Sequence, residues 1–267
     1  MKRFALVSAL VLSICSPAFA DDALTAAING PQRTPENAAR DAYRHPYDTL
    51  QFFGIRPDMK VVELAPGGGW YTEILAPYLH NDGLMIATAS DPVSDNEQSK
   101  RSYQRFKQRL EARPAVFDKV VLGVFEPPHN IHYAAKNSVD MVLTFRNIHN
   151  WIANENGSVK AVFQSAFDAL KPGGVFGVVE HRLPANKAQD DKASTGYVHE
   201  AYVIQMAQSV GFKLAGTSEI NANPKDNADH EGGVWALPPT YANKDKDKAT
   251  YQAIGESDRM TLKFIKP

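Results

Sequence analysis

Short apolar runs alternate with amphipathic stretches along most of the chain. The runs have the length and the β-branched content of buried strands, and we predict seven of them. They are residues 60–64, 84–88, 120–124, 139–144, 175–179, 212–220 and 260–265. The fourth run is mostly apolar, which favours a strand that is buried on both faces of a sheet.

The stretches between these runs predict five helices. They are residues 46–53, 71–79, 97–110, 158–170 and 200–210. The clearest is the fourth, in which Val162, Phe163 and Ala166 recur at helical spacing. Because strands and helices alternate, we predict an α/β fold with a doubly wound, mostly parallel seven-stranded sheet and helices on both faces.

The N-terminus has a pattern of its own. Lys2 and Arg3 precede an apolar stretch of about a dozen residues, and Ala18 and Ala20 are the small residues that signal peptidase requires. We predict that residues 1–20 are a secretory signal peptide, which makes the protein periplasmic or secreted. The stretch is shorter than the roughly 20 residues of a membrane-spanning helix. A buried N-terminal helix or a membrane anchor is the alternative.

Composition narrows the possible functions. The chain has 267 residues, of which 43% are hydrophobic, and this suits one α/β domain with a substantial core. Lys and Arg number 29 and Asp and Glu number 30, so the charge balance does not indicate a nucleic-acid partner. No second apolar run is long enough to cross a membrane, so we expect no stable membrane insertion after signal cleavage. The partner that we expect is a small-molecule substrate. The only cysteine, Cys15, lies in the predicted signal peptide. The rest of the chain therefore has no disulfide, thiolate metal site or cysteine nucleophile.

Two segments fall outside the alternation of strands and helices. Residues 21–45 are polar and alanine-rich, and we interpret them as a leader with some helix. Residues 221–258 are a long irregular insertion, and such a loop is usually functional or disordered. No internal boundary is visible, so residues 46–267 are predicted to be one domain. Tyr43 and its neighbouring arginines could cover a pocket as a lid, but we favour simple docking of the leader.

A glycine-rich turn follows the first predicted strand. Residues 65–71 have the sequence Ala-Pro-Gly-Gly-Gly-Trp-Tyr and lead into a predicted helix. Glycines at such a turn let the backbone approach a ligand closely, and the helix N-terminus favours polar or anionic groups. Many glycine-rich turns are only turns. Here Glu63, near the end of the strand, adds a carboxylate that can orient backbone or an ammonium group.

Three motifs resemble those of class I S-adenosylmethionine-dependent methyltransferases, in the same order. They are VVELAPGGGW at the first strand, SVDMVLTF at the fourth and ALKPGGVFGVVE at the fifth. The proline in the loop, the export signal and the following WYTEILAPYL resemble a subgroup of exported, periplasmic bacterial methyltransferases. The resemblance implies a Rossmann-like fold over residues 46–267 with an antiparallel last strand. It also implies S-adenosylmethionine as cofactor.

The resemblance further implies a set of cofactor-binding residues. Those around the turn are Glu63, Pro66, Gly67, Gly68 and Gly69. Glu63 would hold the amino-acid end of the cofactor through the loop, and the glycines would admit the cofactor carboxylate. The family has an acid at the end of the second strand that binds the ribose hydroxyls, but this sequence has Ala89 there. A shifted turn would bring Asp91 into that role; without it, affinity for the adenosine part falls.

Polar side chains follow several of the predicted strands. In doubly wound sheets, ligands bind beyond the carboxyl ends of the strands. Arg146 and His149 follow the fourth strand, and Glu180, His181 and Arg182 follow the fifth. Further candidates from the last third of the chain are His199, Asp226 and His230. Because several segments contribute such residues, we expect some of them to face one pocket.

Two chemistries fit these residues. In the first, His149 or His181 removes a proton from an acceptor that attacks the sulfonium methyl group, because imidazole titrates near neutral pH. Arg146 and Arg182 would hold an anionic acceptor by forked hydrogen bonds, and Glu180 completes the catalytic candidates. In the second, histidines and a carboxylate surround a metal ion. No closely spaced histidine pair supports a metal, and we assign none.

Three functions therefore stay open at the level of sequence. The first is methyl transfer from S-adenosylmethionine to a small or anionic acceptor in the periplasm, although nothing in the sequence explains how the cofactor is supplied there. The second is a non-catalytic protein that binds another ligand on the same fold, which Ala89 favours. The third is a hydrolase or lyase that uses the histidine-rich rim, since a fold does not determine a chemistry.

Overall fold

Eight strands form one sheet in the computed structural model, which describes residues 21–267. They are β1 Lys60–Leu64, β2 Leu84–Ala89, β3 Val121–Glu126, β4 Asn130–His132, β5 Val139–Phe145, β6 Leu170–His181, β7 Lys213–Ser218 and β8 Arg259–Ile265. Their order across the sheet is β4-β3-β2-β1-β5-β6-β8-β7. The signal peptide predicted at residues 1–20 lies outside the described residues and stays a prediction.

The strand directions agree with the expected architecture. β1 pairs in parallel with β2 and β5, β2 with β3, and β5 with β6. β8 is antiparallel to its neighbours β6 and β7, as expected for the last strand, and β4 is antiparallel to β3. The predicted count of seven strands is wrong. The additional strand, β4, spans only three residues, and so short a segment has no apolar periodicity that a sequence could reveal.

β6 extends further than its apolar run predicts. The prediction covered residues 175–179, whereas the strand continues to Glu180 and His181. In the pairing with β8, Glu180 lies opposite Met260 and His181 lies opposite Arg259. The extension therefore carries two candidate site residues, and an arginine of the antiparallel neighbour, to the same edge of the sheet.

Eleven α-helices and one 3-10 helix accompany the strands among the described residues. They are α1 Asp22–Ile28, α2 Pro35–Ala38, α3 Asp41–Arg44, α4 Pro46–Phe53, α5 Thr72–Leu79, α6 Glu97–Glu111, α7 Pro114–Phe117, α8 Ile148–Ala153, α9 Ser158–Ala169, α10 Glu200–Ser209, α11 Lys248–Ile254 and the 3-10 helix Gly233–Ala236. The five predicted helices are present as α4, α5, α6, α9 and α10. Within the described part of the chain, no helix has the length and apolarity to span a bilayer.

Alternating strand residues supply two apolar layers, one on each face of the sheet. Val61 packs in one layer with Leu75 of α5, and Val62 packs in the other with Phe163 of α9. Adjacent strand side chains point to opposite faces, so each parallel strand contributes to both layers. Helices cover both faces of the sheet. The edge formed by the carboxyl ends of the strands is therefore where a ligand is expected to bind.

The leader packs on one of these layers. Leu24 and Ala27 of α1 are buried, and α1 contacts α5. The Trp70 ring, just after the glycine-rich turn, lies between the guanidinium groups of Arg33 and Arg44, at 4.8 and 4.7 Å from the ring centroid. The leader is thus docked against the domain, and its last helix, α3, reaches the edge of the sheet where strands β1 and β5 end.

Candidate active site

A cavity of about 460 Å³ lies beside the glycine-rich turn, at the carboxyl ends of β1 and β2. Pro66 and Gly67 form one wall, Ala89 and Ser90 form a second, and Arg105 of α6 lies on a third. We call this space the glycine-loop cavity. It lies where a doubly wound sheet binds its ligand, and its volume suits a small molecule.

The turn offers backbone to this cavity. Gly67 has a φ of +58°, and a Cβ atom added at Gly67 or Gly68 would meet nothing within 4 Å. Gly69 is different: it has a φ of +78°, but its nearest side chains are those of Thr72 and Phe106, and it does not line the cavity. Gly67 therefore leaves space for a ligand, whereas Gly69 permits the left-handed conformation of the turn.

Hydrogen bonds hold the turn in place. Arg109 of α6 donates to the carbonyl of Gly68 at 2.6 Å. The amide of Ala65 donates to Thr88 Oγ1 at 2.8 Å, and the Asn147 side chain donates to the Ala65 carbonyl at 3.2 Å. Ala65 has a φ of +48°, an unfavourable conformation for a residue with a Cβ atom. Such strain persists only where neighbouring contacts determine the conformation, which is typical of binding sites.

Glu63 lies beneath the turn and does not line the cavity. It is 2% exposed, and its carboxylate accepts a hydrogen bond from Thr72 Oγ1 at 2.7 Å. Burial raises the pKa of Glu63 to about 7, and the bond from Thr72 and the charge of Arg146 offset only part of this rise. Any action of Glu63 on a ligand therefore passes through the loop.

Asp91 is turned away from the cavity. Its carboxylate accepts from the amide of Val93 at 2.8 Å and from the side chain of Asn130. Among the described residues that line the cavity, none carries a carboxylate, and Ala89 and Ser90 occupy the wall at the end of β2. The shifted turn that we expected does not occur, because Asn130 on the additional strand β4 holds Asp91. Asp91 is thus no longer a candidate for cofactor binding.

A second pocket, of about 310 Å³, lies at the carboxyl ends of β5 and β6. Its lining includes arginines from the leader, from the end of β5 and from the start of β8: Arg40, Arg44, Arg146 and Arg259. We call it the arginine pocket. His149 and His181 line it as well, and Trp235 of the insertion covers one side. A space lined by both the arginines and the glycine-rich turn connects it with the glycine-loop cavity.

His149 and Glu180 form a buried pair beside this pocket. His149 lies in the first turn of α8, and its Nδ1 is 3.1 Å from the Oε1 of the fully buried Glu180. The Glu180 carboxylate also accepts from the backbone amides of Ile148 at 2.5 Å and His181 at 2.8 Å. Glu180 does not line the pocket. It is a positioning residue, because it orients the His149 ring and caps the N-terminus of α8.

His181 lies next to His149, with the ring centroids 5.4 Å apart. Its Nδ1 is 2.5 Å from Ser257 Oγ. Burial, and then the proximity of His149 and Arg259, hold the pKa of His181 well below 6.5. His181 is consequently neutral at neutral pH and can accept a hydrogen bond or ligate a metal.

The same three residues have donor atoms that could surround a metal ion. Those of His149, Glu180 and His181 lie within 4.8 Å of one another. Both Glu180 oxygens already accept hydrogen bonds, so two imidazoles would remain for the ion. Catalytic zinc sites use three protein ligands. The pair of His149 and Glu180 also matches a carboxylate that orients a histidine, an arrangement that metal-binding histidines share.

Arg182 has a structural role outside the pocket. Its guanidinium donates to Asp258 at 2.8 and 3.0 Å and to Glu219 at 2.7 Å through two nitrogens. The hydrogen bonds of Glu219 and Asp258 raise the pKa of Arg182. Arg182 is absent from the described residues that line the arginine pocket, and its donors are occupied. We therefore withdraw it as a ligand for an anionic acceptor, whereas Arg146 lines the pocket as predicted.

Two further histidines are engaged elsewhere. His199 Nε2 is 2.9 Å from the carbonyl of Lys187. His230 Nε2 is 2.8 Å from Asp226 Oδ1, and the Asp226 carboxylate also accepts from Tyr197 Oη. The bond from Tyr197 to Asp226 ties the insertion to the domain, whereas the bond of His199 lies outside the insertion and that of His230 lies within it. We expected several segments to contribute side chains to one pocket. Residues at the ends of β5 and β6 and residues of the insertion do line the arginine pocket, but His199, Asp226 and His230 do not.

Sequence reasoning did not include among the site residues several that line the two spaces, although two of them, Arg40 and Arg44, neighbour Tyr43 in the possible lid. They are Arg40, Arg44, Arg105, Arg109, Trp235, Glu256 and Arg259. One signal was available: Arg40 and Arg44, like Arg105 and Arg109, are four residues apart, which places both members of each pair on one side of a helix. Nothing in the local sequence around Glu256 or Arg259 indicates a pocket.

Solved structures with this arrangement of elements include several S-adenosylmethionine-dependent methyltransferases and a cyclase. A proposed sarcosine dimethylglycine methyltransferase from Galdieria sulphuraria has 16% identity and a TM-score of 0.53, covering 86% of each chain. The cyclase SpnF has 14% identity and a TM-score of 0.52, covering 90% of this chain and 84% of that one. An Aquifex aeolicus methyltransferase has 16% identity and a TM-score of 0.50, covering 68% and 87%.

The fold is that of the class I methyltransferases. The fold expected from the three motifs is confirmed, while the exported subgroup stays a prediction. At these identities the similarity establishes the fold alone, and the cyclase among the similar structures shows that this fold accommodates other activities. No family model and no curated protein matches the sequence.

Proposed function

We propose that the protein transfers a methyl group from S-adenosylmethionine to a small acceptor. One observation carries this proposal: the glycine-loop cavity is joined to a pocket that contains an oriented histidine. Pro66 and Gly67 line both the cavity and the connecting space, and Arg146 lines both the connecting space and the arginine pocket. A donor held at the turn would therefore direct its reactive end toward an acceptor beside His149.

The turn fits the amino-acid end and the adenosine of the cofactor. Gly67 and Gly68 leave open space where any other residue would place a side chain. The turn runs into α5, and the amides at a helix N-terminus favour polar and anionic groups. The hydroxyl of Ser90 and the guanidinium of Arg105 are the polar groups on the far wall. These residues would hold the cofactor without a carboxylate at the ribose.

His149 is suited to remove the proton from the acceptor. A carboxylate only accepts hydrogen bonds, so Nδ1 carries the hydrogen that is shared with Glu180, and the lone pair lies on Nε2. S-adenosylmethionine, when bound, supplies an electrophilic methyl group and leaves as S-adenosylhomocysteine. The acceptor proton moves to Nε2, where Glu180 stabilises the imidazolium that forms. His181, which is neutral, adds no opposing charge.

We include the periplasm in this proposal, because residues 1–20 have the pattern of a signal peptide. Fractionation of expressing bacterial cells tests it. We expect the protein in the periplasmic fraction, with Asp21 as its first residue by N-terminal sequencing. Recovery in the cytosolic fraction with Met1 retained would contradict export and leave the proposed reaction untouched.

Calorimetric titration with S-adenosylmethionine and S-adenosylhomocysteine tests the central claim. We expect micromolar binding of both ligands with one site per chain. S-adenosylhomocysteine production in the presence of candidate acceptors then identifies the reaction. If neither ligand binds at millimolar concentration, the glycine-loop cavity serves another ligand, and the non-catalytic alternative replaces this proposal.

A metal-dependent hydrolase or lyase is the second candidate, favoured by the juxtaposition of His149, Glu180 and His181. It makes a different prediction. Its activity would be lost with a chelator and restored by one specific divalent ion, and the protein would bind zinc in equilibrium dialysis. Methyl transfer by His149 predicts activity that is unchanged by the chelator.

A further inference from the structure

The arginine pocket carries an excess of positive charge. Four guanidinium groups line it, from Arg40, Arg44, Arg146 and Arg259, and Glu256 is the one acidic residue among its described lining residues. The excess along the lining is thus three positive charges. Like charges at close range in a partly buried space are unfavourable unless an anion joins them.

Glu256 is shared among three of these arginines. Its carboxylate accepts from Arg40 Nε at 2.6 Å, Arg44 Nε at 3.1 Å and Arg259 Nη2 at 2.5 Å. Burial alone would raise the pKa of Glu256, but Arg259, Arg44 and Arg40 outweigh burial and lower it to about 2. The carboxylate is ionised throughout the neutral range, and among the described residues its hydrogen bonds go to Arg40, Arg44 and Arg259 and not to Arg146.

Arg44 has an unpaired donor in this pocket. It is 2% exposed, and within the part of the chain that the structure describes its Nη1 has no hydrogen-bond partner. Burial, followed by the proximity of Arg146, lowers the pKa of Arg44 to about 8. A buried donor left unsatisfied costs about 1–3 kcal/mol, and more when charged, so its retention indicates a ligand that pairs with it.

Arg146 has no side-chain partner either among residues 21–267. Its backbone has a φ of +61°, and its amide donates to the carbonyl of Val179 at 2.7 Å. Burial, and then the charge of Arg259, lower the pKa of Arg146 to about 10. A strained residue with a free guanidinium at the mouth of a pocket has the features of a binding group.

Arg259 shows the contrasting case within the same pocket. Its three guanidinium nitrogens donate to Ser257 Oγ at 3.2 Å, to the Tyr43 carbonyl at 3.2 Å and to Glu256. Arg259 therefore supports the pocket and connects the leader to β8. Free donors remain on Arg44 and Arg146, and also on Arg40, whose Nη groups have no partner among residues 21–267. All three arginines line the space that leads to the glycine-rich turn.

Part of the lining of the arginine pocket is apolar. Trp235, Pro238 and Pro239 of the insertion line it, and the Trp235 ring lies 5.9 Å from the His149 ring in an edge-to-face arrangement. A ligand in this space would therefore have both guanidinium groups and an apolar surface to contact. A volume of about 310 Å³ restricts it to a small molecule.

We propose that Arg44 and Arg146 bind an oxyanion of the methyl acceptor, which is a small acid with an apolar body against Trp235. This inference rests on the proposed methyl transfer. The oxyanion, a carboxylate or a phosphate, holds the acceptor so that its nucleophile lies beside His149 Nε2. The same arginines could instead hold the carboxylate of S-adenosylmethionine, which has the same chemistry, and the experiment below separates the two sources.

Calorimetric titration with inorganic phosphate tests the oxyanion site in the S-adenosylhomocysteine complex at constant ionic strength. We expect saturable binding that Arg146→Gln weakens tenfold or more, with unchanged affinity for S-adenosylhomocysteine. Arg182→Gln is the matched control: it removes an arginine at the same edge of the sheet whose donors are all paired, and phosphate affinity should not change. Equal phosphate affinity in both variants overturns the inference.

Titrations with S-adenosylhomocysteine and 5′-methylthioadenosine distinguish the remaining outcomes. If phosphate and S-adenosylhomocysteine compete, or if Arg146→Gln weakens S-adenosylhomocysteine but not 5′-methylthioadenosine, the arginines hold the cofactor carboxylate and the acceptor assignment is overturned. Binding of S-adenosylhomocysteine without any binding of phosphate overturns the oxyanion site and leaves methyl transfer in place. Failure to bind S-adenosylhomocysteine, with phosphate still bound in its absence, counts against methyl transfer and not against the oxyanion site.

Thermal unfolding provides a readout that does not depend on any ligand. Arg146→Gln removes a repelled charge that has no partner, so we expect a higher Tm than that of the wild type. Arg182→Gln breaks the pairs with Asp258 and Glu219, so we expect a lower Tm. A binding group commonly lowers stability, whereas a structural arginine raises it. A lower Tm for Arg146→Gln would overturn the view that this side chain is held for a ligand.

Discussion

The glycine-loop cavity and the arginine pocket are neighbours, but the chain builds them in different ways. The cavity takes its main wall from consecutive residues after β1, and that wall is largely backbone. The pocket takes its charge from side chains far apart in sequence, such as Arg40 and Glu256, which are 216 positions apart. A ligand of the first contacts a local motif, and a ligand of the second contacts an assembly that exists only in the folded protein.

This difference separates the parts of the proposed reaction. In that proposal the cavity would bind the cofactor through the backbone of the turn and through polar side chains such as Ser90 and Arg105. The pocket would bind the acceptor through its positive charge and would receive the acceptor proton. Changes in one region should therefore alter one step and spare the other, which makes the comparison testable.

His149→Ala has the largest expected effect and belongs to the pocket alone. Without the imidazole, the acceptor proton has no nearby base, and we expect kcat to fall roughly a hundredfold to ten-thousandfold. The affinity for S-adenosylhomocysteine should stay the same, because His149 does not line the cavity. Steady-state kinetics with an acceptor that yields S-adenosylhomocysteine, combined with calorimetry, measures both. Unchanged kcat in His149→Ala would remove it as the base.

Gly67→Val tests the cavity: it should weaken cofactor binding, whereas His149→Ala should lower kcat and leave cofactor binding unchanged. The valine side chain would project into the space for the cofactor at a residue with positive φ, and we expect a loss of S-adenosylhomocysteine affinity on the order of a hundredfold. Gly157→Val is the matched control: Gly157 also has a positive φ, of +80°, with open space around it, but it lies outside both spaces. Similar affinity in the two variants would mean that Gly67 does not face the cofactor.

Glu63→Gln tests how the buried carboxylate beneath the cavity affects stability. The carboxyl ionises near 4.5 in the unfolded chain and at about 7 in the folded protein. Its contribution to stability is therefore complete below pH 4.5 and is lost as the pH rises through 7. Above pH 7 we expect Glu63→Gln to increase the free energy of unfolding by up to about 3 kcal/mol, measured by denaturant titration.

The control for that experiment is Glu256→Gln. The pKa of Glu256 is lowered to about 2, so its contribution is present above pH 4.5 and is lost as the pH falls toward 2. Glu256→Gln should accordingly reduce stability at neutral pH. If Glu63→Gln has the same pH dependence of unfolding as the wild type, Glu63 does not titrate in the way that its burial implies.

Ala89→Asp has the smallest expected effect and tests whether the adenosine of the cofactor lies against the end of β2. An aspartate at the end of β2 would accept hydrogen bonds from the ribose hydroxyls, which no carboxylate does in the wild-type lining. We expect about a tenfold gain in S-adenosylhomocysteine affinity by calorimetry. Ser90→Asp, one residue further along the wall, is the comparison. No gain in either variant would mean that the adenosine does not lie against β2.

Much of the fold could be predicted from apolar periodicity. The five amphipathic helices and seven of the strands are present, because side-chain burial repeats at intervals that a sequence displays. The strand β4 was missed because three residues are too few to show a period. This omission also explains the error at Asp91, whose carboxylate is held by Asn130 of that strand.

The candidate site was predictable only in part. Residue type suggested the arginines near the ends of β5 and β6 as candidates, but it could not separate Arg146 from Arg182. The two differ in their surroundings: Arg182 has two carboxylates within hydrogen-bond distance, and Arg146 has none among the described residues. Arg182 is paired because the fold brings Glu219 and Asp258, which are distant in sequence, within hydrogen-bond distance of its guanidinium group.

The sequence by itself determined the alternation of strands and helices, the glycine-rich turn and the order of the motifs, because these depend on residues that are close along the chain. Tertiary structure alone decided that Arg44 and Arg146 keep free donors, that Glu180 orients His149, and that Asp91 does not line the glycine-loop cavity. Each of these depends on which side chains from distant segments come together in the folded protein. In a partly buried site with little water, the neighbouring groups determine the charge and the hydrogen bonding of a side chain.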